Sequence, residues 1–228
     1  IHTHGGLGYC TMDADPDRLR AIAERNAKYG VTGFLPTTLT DTREATIAAI
    51  EAVSSLVDER GKGSKVFGVH LEGPYFNLVR AGAQDPNSIR RADPKEVREF
   101  ISAGKIRLIA MAAEFPENRA AGDIFAAEGI TVSAGHTDAS YQDLVEAANH
   151  GFSVITHLFN GQKPFSHREP GTVGGALTLD AYTAEIICDN IHSHPAAQNL
   201  AYRAKGNRGI ILITDCIRPS GLPDGTYP

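Results

Sequence analysis

Short runs of continuous apolar residues alternate along this chain with longer stretches in which apolar positions recur every three to four residues. The first pattern reads as buried strand, the second as amphipathic helix. DADPDRLRAIAERNAKYG predicts a helix, with Asp15 as its cap, Pro16 in its first turn and Gly30 at its exit. VTGFLPTT predicts a short buried strand, and DTREATIAAIEAVSSLVDER a second helix capped by Asp41 or Thr42. KVFGVHLEG is the next strand, and DPKEVREFISAG a short helix with Pro94 early and Gly104 at the exit. IRLIAMAAE (strand), NRAAGDIFAAEG (helix), ITVSAG (strand) and DASYQDLVEAANHG (capped helix) continue the alternation. FSVITHLF and AEIICD are strands, HPAAQNLAYRAKG a helix and GIILITD a last strand. With the opening IHTHGG counted as a strand, the expected total is eight, mostly separated by helices.

Continuous apolar strands are those of parallel sheets covered on both faces. Eight such units over 228 residues predict one α/β domain, 1–228, folded as a (β/α)8 TIM-type barrel. A doubly wound open sheet is the runner-up, and it is disfavoured because no G-x-G-x-x-G follows the first strand. Few residues follow the last strand, so a closing helix is expected to be missing and the chain reads as part of a longer protein.

Composition narrows the classes. The chain is 42% hydrophobic and 21% charged, which is ordinary for a globular domain with one large core. A net charge of -5 without any basic run argues against a nucleic-acid surface. No stretch reaches the roughly 18 apolar residues of a membrane span, and no signal peptide is read. Three scattered cysteines (Cys10, Cys188, Cys216) fit a reducing, cytoplasmic setting and read as plain buried thiols.

The nine histidines matter through their placement. His2 and His4 are two apart in an extended segment and share a face. His70 and Glu72 end the third strand, and Glu114 follows the fourth. His136 follows the fifth, His157 ends the sixth, His192 and His194 follow the seventh, and Asp215 ends the eighth. A single histidine in an apolar run is ordinarily a core residue, and Glu72 before Gly73 and Pro74 could anchor a turn. Recurrence of imidazole and carboxylate at one rim, from strands far apart in sequence, is too costly for packing alone. It points to metal ligation, and this donor set suits zinc or iron. His150 reads as a helix C-terminal residue, His167 as solvated, and Asp189 as a helix or turn cap.

In this order, HTHGG, HLEGPYFN, SAGHT, THLFN, REPG, IHSHP and ITD resemble the N-acetylglucosamine-6-phosphate deacetylase family of the amidohydrolase superfamily, over essentially the whole chain. The resemblance implies a divalent-metal enzyme that removes acetate from a phosphosugar. It implies that Glu72, His136 and His157 hold the principal ion, with His2 and His4 as candidate ligands of a second. By the same resemblance Asp215 is the general acid/base, His192 contacts substrate, and Asn160, Gly161 and Arg168 grip the phosphate. Arg168 can come from the partner subunit, which implies a homodimer. The resemblance further implies an accessory β-sandwich that this chain lacks. Gln84 stands where the family usually has His, Asn190 where it tends to have Gly, and NGQ at 160–162 replaces NAM. The competing expectations are a deacetylase for the galactosamine isomer, an acyl-amino-acid deacylase, and an inactive sugar-phosphate-binding piece.

Overall fold

The computed structural model describes residues 1–227. A two-residue hairpin, β1 (Gly5–Gly6) and β2 (Tyr9–Cys10), follows the opening histidines, and α1 (Pro16–Lys28) leads to β3 (Gly33–Phe34). Next come α2 (Arg43–Ser54), β4 (Lys65–Val66) and β5 (Val69–Glu72). The remainder alternates: α3 (Pro94–Ala103), β6 (Ile106–Met111), α4 (Pro116–Ala127), β7 (Thr131–Ala134) and α5 (Tyr141–Ala148). It finishes with β8 (Phe152–Ile155), α6 (Gly171–Thr178), β9 (Thr183–Ile187), α7 (Pro195–Lys205) and β10 (Ile210–Ile213).

Helix starts follow local chemistry. Asp15 accepts hydrogen bonds from the amides of Asp17 and Arg18, and Asp93 does the same for Lys95 and Glu96. Thr42 rather than Asp41 caps α2, accepting from the Ala45 amide. Ser140 and Asp143 form a reciprocal capping box at α5. Each cap satisfies amides that the first helical turn leaves without partners.

Six strands form one parallel sheet in the order β10-β9-β8-β7-β6-β5. Neighbours in sequence are neighbours in space, each pair bridged by a helix, as parallel connection requires. The sequence predicts a full (β/α)8 barrel; the structure has a parallel α/β sheet of six regular strands rather than eight, consistent with part of such a barrel. KVFGVHLEG is split into β4 and β5 at Gly68, where φ is 144° and a Cβ would lie 2.5 Å from the Lys105 carbonyl. β4 pairs with β3 as a separate two-stranded unit. The opening segment joins only through single bridges: Thr3 to Pro36 on one side and to Cys216 on the other. Backbone bonds run from Thr37 N to Thr3 O (2.9 Å), His70 N to Pro36 O (3.1 Å) and His4 N to Cys216 O (2.8 Å).

Sequence reading missed α6, because GTVGGALT carries three glycines, poor helix formers. Packing overrides that preference: a Cβ on Gly175 would lie 2.6 Å from Leu144 Cδ1 of α5, so the absent side chain is what lets the two helices meet. The cysteine expectation needs correction. Cys10 is buried, but Cys216 is half-buried and Cys188 is exposed, just past the end of β9. His150 lies beyond α5 and its Nδ1 pairs with Asp123 Oδ2 of α4 at 2.9 Å.

The apolar core lies between sheet and helices. Leu71, Ile109, Val132, Ile155 and Ala184 face the helices, with Phe100, Phe125 and Phe152 among the fully buried rings. Each such ring contributes about 1.5–3 kcal/mol by leaving water. Strand alternation then turns the intervening residues inward, and there the buried polar set collects: His70, Glu72, Ser133, Thr156 and Glu185. No helix among the described residues is long and apolar enough to cross a membrane.

Candidate metal centre

Glu72, the last residue of β5, stands at the centre of the inward-facing polar set and is almost completely buried. Its Oε1 lies 3.0 Å from His157 Nε2, 3.3 Å from His136 Nε2 and 3.3 Å from His2 Nε2. Its Oε2 lies 3.2 Å from His4 Nε2 and accepts a hydrogen bond from Gln84 Nε2 at 2.6 Å. Asp215 Oδ1 approaches His4 Nε2 at 3.0 Å and His2 Nε2 at 3.4 Å. Three groups have donor atoms within 4.8 Å of one another: the ligand sets Glu72–His136–His157 and His2–His4–Asp215, and a third, His2–His70–Glu185, that shares His2 with the second.

Backbone geometry aims these side chains. Thr3 bridges strands on both sides, so His2 and His4, its neighbours, both turn inward. His136, His157 and Asp215 each follow the last residues of a strand with φ of 44°, 31° and 51°. That left-handed region is costly for a side chain with a Cβ, and it swings each group off the strand direction into the site. Gly161 (φ 59°) packs against His136, where a Cβ would come within 3.0 Å of Nδ1.

The distal ring nitrogens of His2, His4 and His136 are already engaged. His4 Nδ1 donates to Thr37 O (3.2 Å) and His136 Nδ1 to Arg80 O (2.8 Å), while His2 Nδ1 meets Glu185 Oε2 (3.1 Å). A carbonyl only accepts, so Nδ1 carries the proton in His4 and His136, and the neutral ring leaves Nε2 as a lone pair directed into the site. The Nε2 of His136 faces the Nε2 of His157, whose own Nδ1 is buried without a partner, at 3.1 Å. His2 Nε2 and Asp215 Oδ1 are buried without a well-formed hydrogen bond. Lone pairs this close repel unless a proton or a cation lies among them, so the donor set fits a divalent ion.

Electrostatics tell the same story for the metal-free chain. Burial alone would raise Glu72, but the charge on His2 and the hydrogen bonds from His136 and His157 hold its carboxyl well below the usual range. Burial would likewise lower His4, yet hydrogen bonds to Asp215 and Glu72 push it up to about 9. His2 is also raised well above 6.5 against its burial, by Glu72 and Glu185. These protons occupy positions a metal would take.

The remaining predicted residues lie further out. Asn160 and Gly161 follow His157 in the loop after β8, whose backbone is tied to the His136 loop by Thr137 N donating to Gly161 O (3.1 Å). Arg168 is exposed in the segment before α6. His192 is half exposed, outside the converging ligands, and its Nδ1 pairs with Asp189 Oδ2 at 2.6 Å. Asp189 also accepts from the amides of Ile191 and His192, so it is the turn cap expected; its carboxyl is held at about 2, chiefly by His192. Glu114 organises the loop behind His136, accepting from Asn77 Nδ2, Asp138 N and Thr137 Oγ1.

Two residues of the site were not read from sequence as part of it. Gln84 was seen only as a departure from a pattern. Glu185 was hidden inside AEIICD, where a lone carboxylate in an apolar run was the available signal.

With that geometry in hand, comparison with known proteins is decisive. No protein-family model matches the chain. It is 40% identical to N-acetylglucosamine-6-phosphate deacetylase of Lysinibacillus sphaericus over 229 residues, covering 100% of this chain. The chain is similar over its whole length to N-acetylglucosamine-6-phosphate deacetylases. It spans 59% of the length of that relative. N-acetylgalactosamine-6-phosphate deacetylase of Escherichia coli O157:H7 is 36% identical and matches 99% of this chain and 60% of its own. A mutant N-acetyl-D-glucosamine-6-phosphate deacetylase of Mycobacterium smegmatis, solved in complex with N-acetyl-D-glucosamine-6-phosphate, superimposes with a TM-score of 0.94 at 30% identity, covering 100% of this chain and 59% of that one.

Proposed function

We propose that this chain carries the catalytic centre of a divalent-metal-dependent deacetylase, which hydrolyses N-acetylglucosamine 6-phosphate to glucosamine 6-phosphate and acetate in amino-sugar catabolism. The observation that carries the reading is the convergence of Glu72, His136, His157, His2, His4 and Asp215 at one end of the strands of a chain similar to these deacetylases. In this reading residues 1–228 are the catalytic domain. The bridges from Thr3 to Pro36 and Cys216, and from Thr37 to His70, support closure of the sheet into an eight-stranded barrel.

Glu72, His136 and His157 would hold the principal ion, and His2 and His4, with Glu72 and Asp215 beside them, a second. Imidazole and carboxylate donors favour zinc, with iron next. A bound divalent ion lowers the pKa of water towards ~7 and polarises a carbonyl. Asp215, 19% exposed at the rim, would accept the proton of the attacking water and return it to the departing nitrogen. As the new C–O bond forms and the C–N bond breaks, the amine leaves neutral and the new carboxylic acid releases its remaining proton to solvent as acetate. His192 would donate to the carbonyl oxygen as it gains charge. Asn160, Gly161 and Arg168 would hold the phosphate away from the reacting bond, so that remote binding orients the acetamide. Arg168 lies on an exposed loop, which supports its reaching a partner subunit's site in a homodimer. Sparse cysteines support a cytoplasmic setting.

The second reading, the galactosamine isomer as substrate, is supported by the 36% identical relative. Metal content and acetate release, measured on the whole gene product with both 6-phosphates and both unphosphorylated sugars, test the proposal. The expected result is bound zinc or iron and fastest turnover of N-acetylglucosamine 6-phosphate. Preference for the galactosamine compound selects the second reading, and metal-free protein without acetate release rejects both.

A further inference from the structure

Glu72 and Glu185 are the two carboxylates buried almost completely among the described residues. Glu72 is surrounded by imidazoles. Glu185 has fewer: it stands inside the apolar strand β9, 0% exposed, between Ala184 and Ile186, with His2 and His70 as its neighbouring imidazoles. Its Oε2 meets His2 Nδ1 at 3.1 Å and accepts the His157 amide at 3.4 Å, and its Oε1 has no hydrogen-bond partner. No arginine or lysine pairs with it. A carboxylate kept in such surroundings is expensive, and an aliphatic side chain would fill the volume at lower cost. Packing therefore does not account for it.

Its contacts do. We infer that Glu185 is a positioning residue that holds His2 in the Nδ1–H form, leaving the Nε2 lone pair aimed at Glu72 and Asp215. The inference rests on the reading of His2 as a metal ligand. A carboxylate acceptor behind a ligating imidazole sets which nitrogen carries the proton and makes the other a stronger donor. The ring cannot turn freely, because His70 packs edge-on against it with centroids 4.6 Å apart at 80°. By accepting the His157 amide as well, the same carboxylate ties the backbone of a ligand of the first set to a side chain of the second. Glu185 thus couples the two ligand sets from within β9.

The test uses the whole gene product as wild type, Glu185→Leu, Glu185→Gln, His2→Gln and His136→Ala. In metal-free protein held at alkaline pH, above the raised pKa of His2 so that the ring is neutral, the 15N shifts of the His2 ring, assigned by their loss in His2→Gln, report its protonated nitrogen. Zinc affinity is measured by competition with a chromogenic chelator. Glu185→Leu is expected to shift His2 away from the Nδ1–H form and to weaken zinc binding by about 100-fold at the site lost in His2→Gln. Glu185→Gln keeps an acceptor without charge, so it should retain the Nδ1–H form and lose only about tenfold. His136→Ala and His2→Gln leave Glu185 in place and test the metal reading separately. Zinc binding indifferent to both sinks that reading. Zinc binding lost in those two but unchanged in both Glu185 variants overturns the positioning role, as does an Nε2–H form of His2 in the wild type. If Glu185→Leu does not fold, the tenfold loss and retained Nδ1–H form in Glu185→Gln decide the matter.

Discussion

His136, His157 and Asp215 hold their backbones in the left-handed region, where a Cβ costs of order 1–2 kcal/mol each. Removing the Cβ should recover that strain. We therefore expect metal-free His136→Gly to be about 1 kcal/mol more stable in urea than His136→Ala, against the usual order; equal stability would mean the strain is absent. Asp215→Asn should keep metal and substrate while kcat falls 10²- to 10⁴-fold. Turnover near wild type would remove Asp215 from proton transfer. Stability against pH follows from the same residues when a chelator removes metal. His2 and His4 have raised pKa values, His4 about 9, so they stabilise fully below 6.5 and lose that contribution as pH rises through the folded value. His70 behaves in the opposite sense. Burial, then the charge on His2, keeps it neutral well below 6.5, so its contribution is lost as pH falls through 6.5. Glu72 and Asp215, held low despite burial, lose theirs only in stronger acid. Metal-free protein should be most stable near pH 6.5, with Tm lower by roughly 5 °C at pH 9. A Tm that stays level between these pH values would contradict the assignment.

At the scale of elements, the caps were readable because they act within three residues. Asp15 satisfies the amides of its own helix as its sequence position required, Thr42 does so at α2 as one of the two candidates there, and Asp93 and Ser140 act in the same way in the structure. Ser140→Ala removes one arm of the α5 capping box and should cost about 1 kcal/mol, or 2–4 °C in Tm. Thermal unfolding checks it; no change would mean Asp143 alone suffices. The elements that were misread depend on contacts distant in sequence. α6 exists because glycines admit Leu144 of α5, and the break between β4 and β5 exists because Gly68 meets the Lys105 carbonyl. Neither neighbour is visible in a local window of sequence.

Across the whole molecule, the first and last segments hold each other. His4 and Gly5 donate to Cys216 O, Leu7 to Ser220 O and Gly8 to Arg218 O. Arg218 donates to Asp13 Oδ1 at 2.7 Å and to the Gly8 carbonyl at 3.0 Å. These contacts set His2 and His4 opposite Asp215. Arg218→Ala should speed hydrogen exchange of the His4, Gly5, Leu7 and Gly8 amides about tenfold relative to β6 and β7, whose ladders it does not touch. Uniform exchange rates would show that the seam does not depend on this pair.

Much of the candidate site could be read from residue order alone. Imidazoles and carboxylates fell at strand ends, and parallel strands joined by helices place all such ends on one rim. The period of two also put His2 with His4 and His70 with Glu72 on common faces. Tertiary structure decided the rest. It placed Glu185 behind His2 and Gln84 on Glu72, and it left His192 turned to Asp189 outside the ligand groups. It also reduced the regular sheet to six strands, with the opening segment held by single bridges. Periodicity records which side of its own strand a residue takes. Which atoms then lie 3 Å apart depends on backbone turns and close approaches between segments up to 210 residues distant, and these exist only once the chain is packed.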